Sequence, residues 1–238
     1  MAKKIFITGC AKTGTTLVLR MFYAFKSTEV LYREGFNGHE ISLDDFLEHK
    51  SDKSFIVGKR LPPCLLSSEY YRNKTKFQQQ KKKIIDNDIG IINIVRDGRD
   101  VILSDGGYVL PQRWIDSMKQ SKEFKDIVDV QIKYEDLLLD PDKIQEELIS
   151  IFELEKEHNF STYPDYVEDW VYDWNPSILG RKREETHTNY DKRALNGAHV
   201  GQSPSAYKSK CHDFEQMIEF EKQLLDCDYL DDLNIFGK

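Results

Sequence analysis

Apolar and polar positions follow a regular order along the first two thirds of the chain. Four short apolar runs, rich in β-branched side chains, predict buried strands at residues 4–8, 54–58, 89–95 and 128–133. Apolar residues at helical spacing separate them and predict helices at residues 15–25, 42–50, 65–83, from about 97, and 141–152. This alternation predicts an α/β fold with a mainly parallel central sheet flanked by helices.

The regular alternation ends near residue 155. Aromatic side chains crowd together over residues 163–174 without a clean period, and residues 181–193 are rich in charge. One last helix is predicted at about 211–227. We therefore predict a single domain over 1–238, with an α/β core at 1–155 and a C-terminal elaboration at 156–238.

The first strand leads into a loop bounded by two glycines, Gly9-Cys10-Ala11-Lys12-Thr13-Gly14-Thr15-Thr16, and then into a helix. Backbone N–H groups of such a loop, together with the helix N-terminus, bind anions. The glycine spacing is that of the nucleotide-triphosphatase loop, but Thr15 stands where that motif has its lysine. The loop's only lysine, Lys12, suits the bridging oxygen of a short, two-group anhydride. The alternative without a function is a glycine-rich turn with a solvated lysine.

Basic residues also follow two other predicted strands. Lys59 comes directly after the strand at 54–58, and Arg96 directly after the strand at 89–95. Ligands of open α/β sheets bind at this carboxyl edge. A helix from residue 97 would bring Ser104 near Arg96, and a guanidinium with a hydroxyl makes a phosphate clamp. For Lys59, an ordinary charged turn remains an alternative.

Composition narrows the class of protein. A net charge of −7 argues against general nucleic-acid binding, although a local basic pocket for a small anion remains compatible with it. Four widely separated cysteines without metal-ligand spacing favour a reducing compartment, and small size explains Cys10 better than a nucleophilic role. No apolar run approaches the roughly 20 residues of a membrane span. We expect a cytoplasmic protein that has no metal site.

Three segments, in this order, resemble sulfotransferases that use 3′-phosphoadenosine 5′-phosphosulfate. AKTGTT at residues 11–16 is similar to their 5′-phosphosulfate loop, usually a form of P-K-[ST]-G-T-[TS]. RDGRDVILS at residues 96–104 resembles their 3′-phosphate motif, R-[DN]-P-[RK]-D-x-x-x-S, with Gly98 where proline is usual. YEDL at residues 134–137, followed by Asp140-Pro141, is similar to their Y-E-D-L-x-x-D-P segment. The resemblance covers about residues 4–155.

The resemblance implies a three-layer P-loop-like fold and transfer of a sulfuryl group to a hydroxyl or amine of a carbohydrate or small-molecule acceptor. It implies that Lys12 stabilises charge on the leaving bridging oxygen without a metal ion. The implied cofactor-binding residues are Ala11, Lys12, Thr13, Gly14, Thr15 and Thr16 for the 5′-phosphate, Arg96 and Ser104 for the 3′-phosphate, Tyr134 near the adenine, and Arg193 in a late closing loop.

The general base stays open at this point. The cytosolic small-molecule branch of the family uses a histidine in a turn after the second strand, and Arg60 holds that position here. The carbohydrate-modifying branch uses a glutamate after the first helix, where we favour Glu34, with His39 and Glu40 as rivals. Lys59 would then position an anionic substrate or the sulfuryl group.

Two other functions fit parts of the sequence. A P-loop small-molecule kinase using ATP and Mg²⁺ shares the loop, but it would need Asp97 or Asp136 as the metal ligand, and Thr15 replaces its lysine. A non-catalytic nucleotide-binding scaffold is the second alternative. The combination of Lys12, Arg96 and Ser104 argues against it.

Overall fold

The computed structural model of the protein describes residues 2–31, 41–59, 74–103, 110–166, 192, 195, 211 and 214–225. One five-stranded sheet lies at its centre, and all of its strand pairs are parallel. In chain order, the strands are β1 (Lys3–Gly9), β2 (Thr28–Val30), β3 (Phe55–Lys59), β4 (Gly90–Val95) and β5 (Val130–Lys133). Across the sheet their order is β2-β3-β1-β4-β5.

Eight helices are present among the described residues. They are α1 (Thr15–Met21), α2 (Leu43–Glu48), α3 (Lys74–Asp86), α4 (Gly98–Leu103), α5 (Pro111–Phe124), α6 (Tyr134–Leu139), α7 (Pro141–Phe152) and α8 (Phe214–Leu225). Short 3-10 turns occur at Phe22–Ala24, Lys125–Ile127 and Tyr163–Asp165.

Local chemistry explains where two of the predicted helices begin. The Ser42 side chain accepts a hydrogen bond from the N–H of Asp45 at 3.0 Å and caps α2. Asp140 caps α7 in the same way, with the N–H of Lys143 at 3.1 Å, and Pro141 takes the first helical position. Both capped starts are confirmed.

Alternate residues of each strand point to opposite faces of the sheet, and helices cover both faces. On one face, Ile5 and Ile7 of β1 pack with α1 and α7 in the largest apolar cluster. On the other, Phe6 packs with α2 and α3, and Val95 packs with α5 and α8. The predicted three-layer α/β architecture is therefore confirmed.

The sequence-based prediction differs from the structure at several elements. The edge strand β2 and the helices α5 and α6 were not predicted, and the first helix ends at Met21, continued only by a 3-10 turn. Packing of the main cluster also continues past residue 155, since Phe160 and Tyr163 are fully buried in it. Most of the predicted elaboration at 156–238 lies outside the described residues.

Within the described part of the chain, no helix has the length and apolar character to cross a membrane.

Candidate anion-binding site

Four neighbouring strands end at one edge of the sheet, and each leads into a predicted site residue. The pairing register aligns these ends, because Ile7 of β1 lies beside Lys59 of β3 and Gly9 lies beside Ile94 of β4. Val95 of β4 in turn lies beside Lys133 of β5, so Arg96 and the start of α6 follow at the same level. Ligands of open parallel sheets bind at this edge.

The loop between β1 and α1 is held in a tight, partly left-handed conformation. Gly9, Lys12 and Gly14 have φ angles of 151°, 70° and 95°. The Thr13 hydroxyl and N–H both donate to the Cys10 carbonyl, at 2.7 and 3.2 Å. Alternation of left-handed residues with ordinary ones creates the backbone concavities that bind anions. The loop therefore has the shape that a phosphate group requires.

Lys59 is the second cation at the loop. It is the last residue of β3, and only 6% of its surface is exposed. Its Nζ donates to the Thr16 hydroxyl at 2.7 Å. An ordinary charged turn would leave this lysine in water, so that alternative is wrong. The structure instead places a buried ammonium group against the first turn of α1.

Arg96 is the third cation, and it contacts the loop from the opposite side. It is 4% exposed, and its Nη1 donates to the Lys12 carbonyl at 3.0 Å. Its guanidinium lies 4.5 Å from the centre of the Tyr134 ring, within the range of a cation–π contact. Arg96 is thus in direct contact with the Lys12 loop, whereas its predicted pairing with Ser104 stays a prediction.

Tyr134 fills the space between Arg96 and the loop. Its ring is 2% exposed, and a Cβ added to Gly14 would lie 2.4 Å from the ring's Cδ2. Gly14 is therefore needed both for its positive φ and for this close approach. An adenine contact for Tyr134 stays a prediction, while its packing role is visible here.

Side chains from two helices hold the peptide group that joins Arg96 to Asp97. The Trp114 indole N–H of α5 donates to the Arg96 carbonyl at 3.3 Å, and the Asp97 N–H donates to Glu135 Oε1 of α6 at 2.9 Å. Asp97 itself is paired with Arg99, whose Nη2 lies 2.6 Å from Oδ2 and whose Nε lies 3.0 Å from Oδ1. Sequence reasoning missed Trp114, Glu135 and Arg99. Glu135 and Arg99 lie inside the two quoted motifs, which was their only signal, and Trp114 gave none.

Burial raises the pKa of the Glu135 carboxyl, and the nearby Asp97 adds to this effect, whereas Arg96 and the Asp97 N–H oppose it. The folded chain thus keeps this proton to a higher pH than the unfolded chain does. Above the ordinary value of 4.5, the folded state binds more protons, so this group lowers stability as pH rises through the raised pKa.

We expect Glu135→Gln to become more stable relative to the native protein as pH rises from about 4 to 7, so that the difference in the free energy of unfolding, variant minus native, increases. Glutamine cannot ionise and so lacks this loss of stability. Urea unfolding at several pH values measures the difference. A difference that is constant with pH would contradict the raised pKa.

Gly98 stands where the resembling family usually has proline, and the packing around it explains the change. A Cβ at Gly98 would lie 2.7 Å from the Trp114 ring and 3.0 Å from the Phe220 ring. These two rings meet edge to face, with centroids 5.4 Å apart, and join α5 to α8. The aromatic pair occupies the space that a proline ring needs.

We expect Gly98→Pro to lower the free energy of unfolding by about 1–3 kcal/mol, because it overpacks this contact. Proline is otherwise favourable at a first helical position, by only about 0.4–1 kcal/mol. Chemical denaturation measures the net change in the free energy of unfolding from these two opposing effects. Gly98→Ala is the control, since it adds a Cβ without a ring. A stabilised proline variant would show that the Trp114 and Phe220 rings move to accommodate the proline ring at little cost in free energy.

Cys10 is a packing residue of the loop. It is buried beside Val95 and Trp114, and burial raises the pKa of its thiol to about 11, although the Ser117 side chain and the Arg113 charge act in the opposite direction. A thiol in this state carries little thiolate near neutral pH. Its geometry fits the small-residue interpretation.

The kinase alternative needs Asp97 or Asp136 as its metal ligand. Both Asp97 oxygens accept hydrogen bonds from Arg99, and Asp136 is an exposed residue of α6. The described part of the chain contains no group of three side chains suited to holding a metal ion.

Several predicted site residues lie outside the described residues. They are Glu34, His39 and Glu40 as candidate bases, Ser104, and Arg193. Ser104 follows directly on Leu103, the last residue of α4. Lys192, next to Arg193 in sequence, pairs with Asp165 at 2.7 Å. The roles proposed for these five residues stay predictions.

Comparison with known proteins gives a result for the fold alone. No protein-family model matches the chain, and no curated protein matches its sequence significantly. The sulfotransferase domain of the olefin synthase of Synechococcus PCC 7002 is similar, with a TM-score of 0.50 and 15% identity over 93% of this chain and 94% of that one. Mouse sulfotransferase SULT7A1, in complex with PAP, is similar with a TM-score of 0.50 and 12% identity, over 92% and 89%. The chain has the fold of a sulfotransferase domain.

Proposed function

We propose that the protein is a sulfotransferase that moves a sulfuryl group from 3′-phosphoadenosine 5′-phosphosulfate to a hydroxyl or amine of a carbohydrate or small-molecule acceptor. The observation that carries the proposal is the convergence of Lys12, Lys59 and Arg96 on one glycine-bounded loop. This loop has its lysine before the second glycine and lies in a fold shared with sulfotransferase domains.

The residues present fit a nucleotide that carries phosphates at two positions. The left-handed loop at residues 9–14 and the hydroxyls of Thr15 and Thr16 suit a 5′-phosphate. Arg96 donates to the Lys12 carbonyl of this loop and suits a 3′-phosphate, together with Ser104. In this proposal Arg193 completes the 3′-phosphate site. When bound, the cofactor would supply an activated sulfuryl group on a phosphosulfate anhydride.

Each cation has a separate role in this proposal. The Lys12 ammonium places positive charge at the bridging oxygen of the anhydride, and the buried Lys59 ammonium places it at the sulfuryl oxygens. Charge stabilisation of this kind is strong in a buried site, where water does not screen it. Glu34 takes the proton from the acceptor, with His39 and Glu40 as the alternative bases.

The engagement of Asp97 favours this function over the kinase alternative. Because Arg99 occupies both Asp97 oxygens, that carboxylate is unsuited to hold Mg²⁺ at the phosphate site. Positive side chains do the work that a metal ion performs in a P-loop kinase.

Transfer of the sulfuryl group tests the proposal directly. The protein is incubated without Mg²⁺ with ³⁵S-labelled cofactor and a panel of phenols, steroids, monosaccharides and oligosaccharides. We expect label on one acceptor class, and a strong loss of transfer in Lys12→Ala but not in Lys82→Ala, which changes an exposed lysine of α3. Transfer of the γ-phosphoryl group from ATP·Mg²⁺ to the same panel, without sulfuryl transfer, would overturn it.

A further inference from the structure

The peptide group between Arg96 and Asp97 is held on both sides by side chains from outside its own element. Its carbonyl accepts from Trp114 of α5 at 3.3 Å, and its N–H donates to Glu135 Oε1 of α6 at 2.9 Å. A peptide group fixed at both ends cannot rotate without breaking one of these bonds. Because this peptide follows the Arg96 Cα directly, it fixes the Cα–C bond of Arg96, and with the preceding strand residue it determines the direction of the Arg96 side chain.

The Glu135 carboxylate is largely removed from water, and its Oε1 accepts the Asp97 N–H. Its second oxygen, Oε2, is buried and has no hydrogen-bond partner among the residues that the structure describes. A buried carboxylate oxygen without a partner is costly, and such costs are retained where the group does something else. Asp97 does not compete for the same bond, because its own carboxylate is bound to Arg99.

Arg96 is correspondingly fixed at several points. Its Nη1 reaches the Lys12 carbonyl, its guanidinium lies on the Tyr134 ring, and its backbone is anchored by Glu135. Tyr134 and Glu135 are consecutive in the chain, so the start of α6 controls both the guanidinium and the backbone of Arg96. The arrangement orients one cation from two directions.

We propose that Glu135 is a positioning residue that orients Arg96 and thereby sets the preference of the site for a nucleotide with a 3′-phosphate. The inference rests on the proposed function, in which Arg96 holds that phosphate. Glu135 acts through the Asp97 N–H and does not itself touch the nucleotide. Glu135 contributes because its side chain is long enough to bring an oxygen atom within hydrogen-bond distance of the Asp97 N–H. The negative charge of the carboxylate is not required.

Reach and charge can be separated by two substitutions. Glu135→Gln keeps an oxygen at the same distance and removes the charge. Glu135→Asp keeps the charge, but its side chain is shorter by one C–C bond of about 1.5 Å, so an unmoved carboxylate falls beyond the hydrogen-bond limit of about 3.2 Å. Glu135→Ala removes both properties. Glu147→Ala is the control, since it deletes an exposed carboxylate from the neighbouring helix α7.

The experiment is calorimetric binding of adenosine 3′,5′-bisphosphate and of adenosine 5′-monophosphate, which lacks the 3′-phosphate. The ratio of the two dissociation constants measures the preference. We expect a ratio within about threefold of native in Glu135→Gln and Glu147→Ala, and a loss of at least about tenfold in Glu135→Asp and Glu135→Ala. Binding of the monophosphate should change little, and circular dichroism confirms that each variant is folded.

The outcomes separate this inference from the proposed function. If the native protein shows no preference for the bisphosphate, the proposed function itself is wrong. If the native protein shows the preference and Glu135→Asp retains it, Glu135 does not position Arg96. A folded Glu135→Gln variant without the preference would show that charge, and not reach, is the contribution, which overturns the inference independently of the other variants.

Discussion

Replacing Lys59 with methionine is expected to lower the rate of sulfuryl transfer by about 10²–10³-fold. Methionine keeps an apolar stem as far as Cε but removes the ammonium that lies 2.7 Å from the Thr16 hydroxyl. A positioned donor at the charge that develops in the transition state has an effect of this size when the site excludes water. Affinity for adenosine 3′,5′-bisphosphate, which lacks a sulfuryl group, should change by less than about tenfold.

The measurement is turnover of labelled cofactor with the acceptor class found in the panel, together with calorimetry of the bisphosphate. Lys53→Met is the matched control, because Lys53 is exposed just before the opposite end of the same strand. Native turnover in Lys59→Met would remove this residue from the mechanism. An equal loss in the control would point to a general effect of lysine removal.

The second large effect is expected from Gly14→Ala. The substitution forces a side chain onto a residue with φ of 95° and places its Cβ 2.4 Å from the Tyr134 ring. Backbone strain of this kind costs about 1–3 kcal/mol, and overpacking costs about 1–3 kcal/mol more. We expect the free energy of unfolding to fall by about 2–6 kcal/mol and binding of the bisphosphate to be lost or strongly reduced.

A double variant divides this loss between strain and overpacking. Gly14→Ala combined with Tyr134→Leu removes the ring that the new Cβ meets but leaves the positive φ in place. The loss of stability in the double variant should therefore be smaller than the sum of the losses in the two single variants. Urea unfolding of the two single variants and the double variant gives the coupling energy. Additive losses would show that Tyr134 does not press on the loop.

The hydrophobic pattern predicted most of the sheet for a physical reason. The strands β1, β3, β4 and β5 each carry apolar residues that face helices. Their sequences are therefore apolar enough to be recognised as buried strands. The strand β2 has only the residues Thr28, Glu29 and Val30, all half-buried at the edge of the sheet. Its pairing with β3 makes it a strand, and a three-residue polar run carries no signal for that.

The positions of Lys59 and Arg96 at the carboxyl ends of two strands could be predicted, but their burial could not. From the sequence, the role of Lys59 was undecided: it could lie in a solvated turn or in the site. The sequence alone does not show which strands are neighbours in the sheet. The structure sets β3 beside β1, which brings the Lys59 ammonium to Thr16. Parallel pairing of strands that are distant in sequence therefore decided the question.

The contacts of the residues that surround Arg96 could not be predicted from sequence motifs. Tyr134 was expected from the resemblance as a contact to adenine, yet its visible contacts are Gly14 and Arg96. Trp114 lies in a helix that was not predicted, and its hydrogen bond to the Arg96 carbonyl depends on tertiary packing alone. Such contacts join elements that are far apart in the chain, and no local pattern encodes them.

In the proposed function, the loop binds a 3′-phosphorylated nucleotide without a metal ion. Calorimetric titration of the native protein with adenosine 3′,5′-bisphosphate in the absence of metal, and with ATP in the presence of Mg²⁺, tests this binding most directly. We expect a clear preference for the bisphosphate, and loss of that preference in Arg96→Ala. Tight binding of ATP·Mg²⁺ with indifference to the 3′-phosphate would rule out the proposed cofactor and favour a kinase.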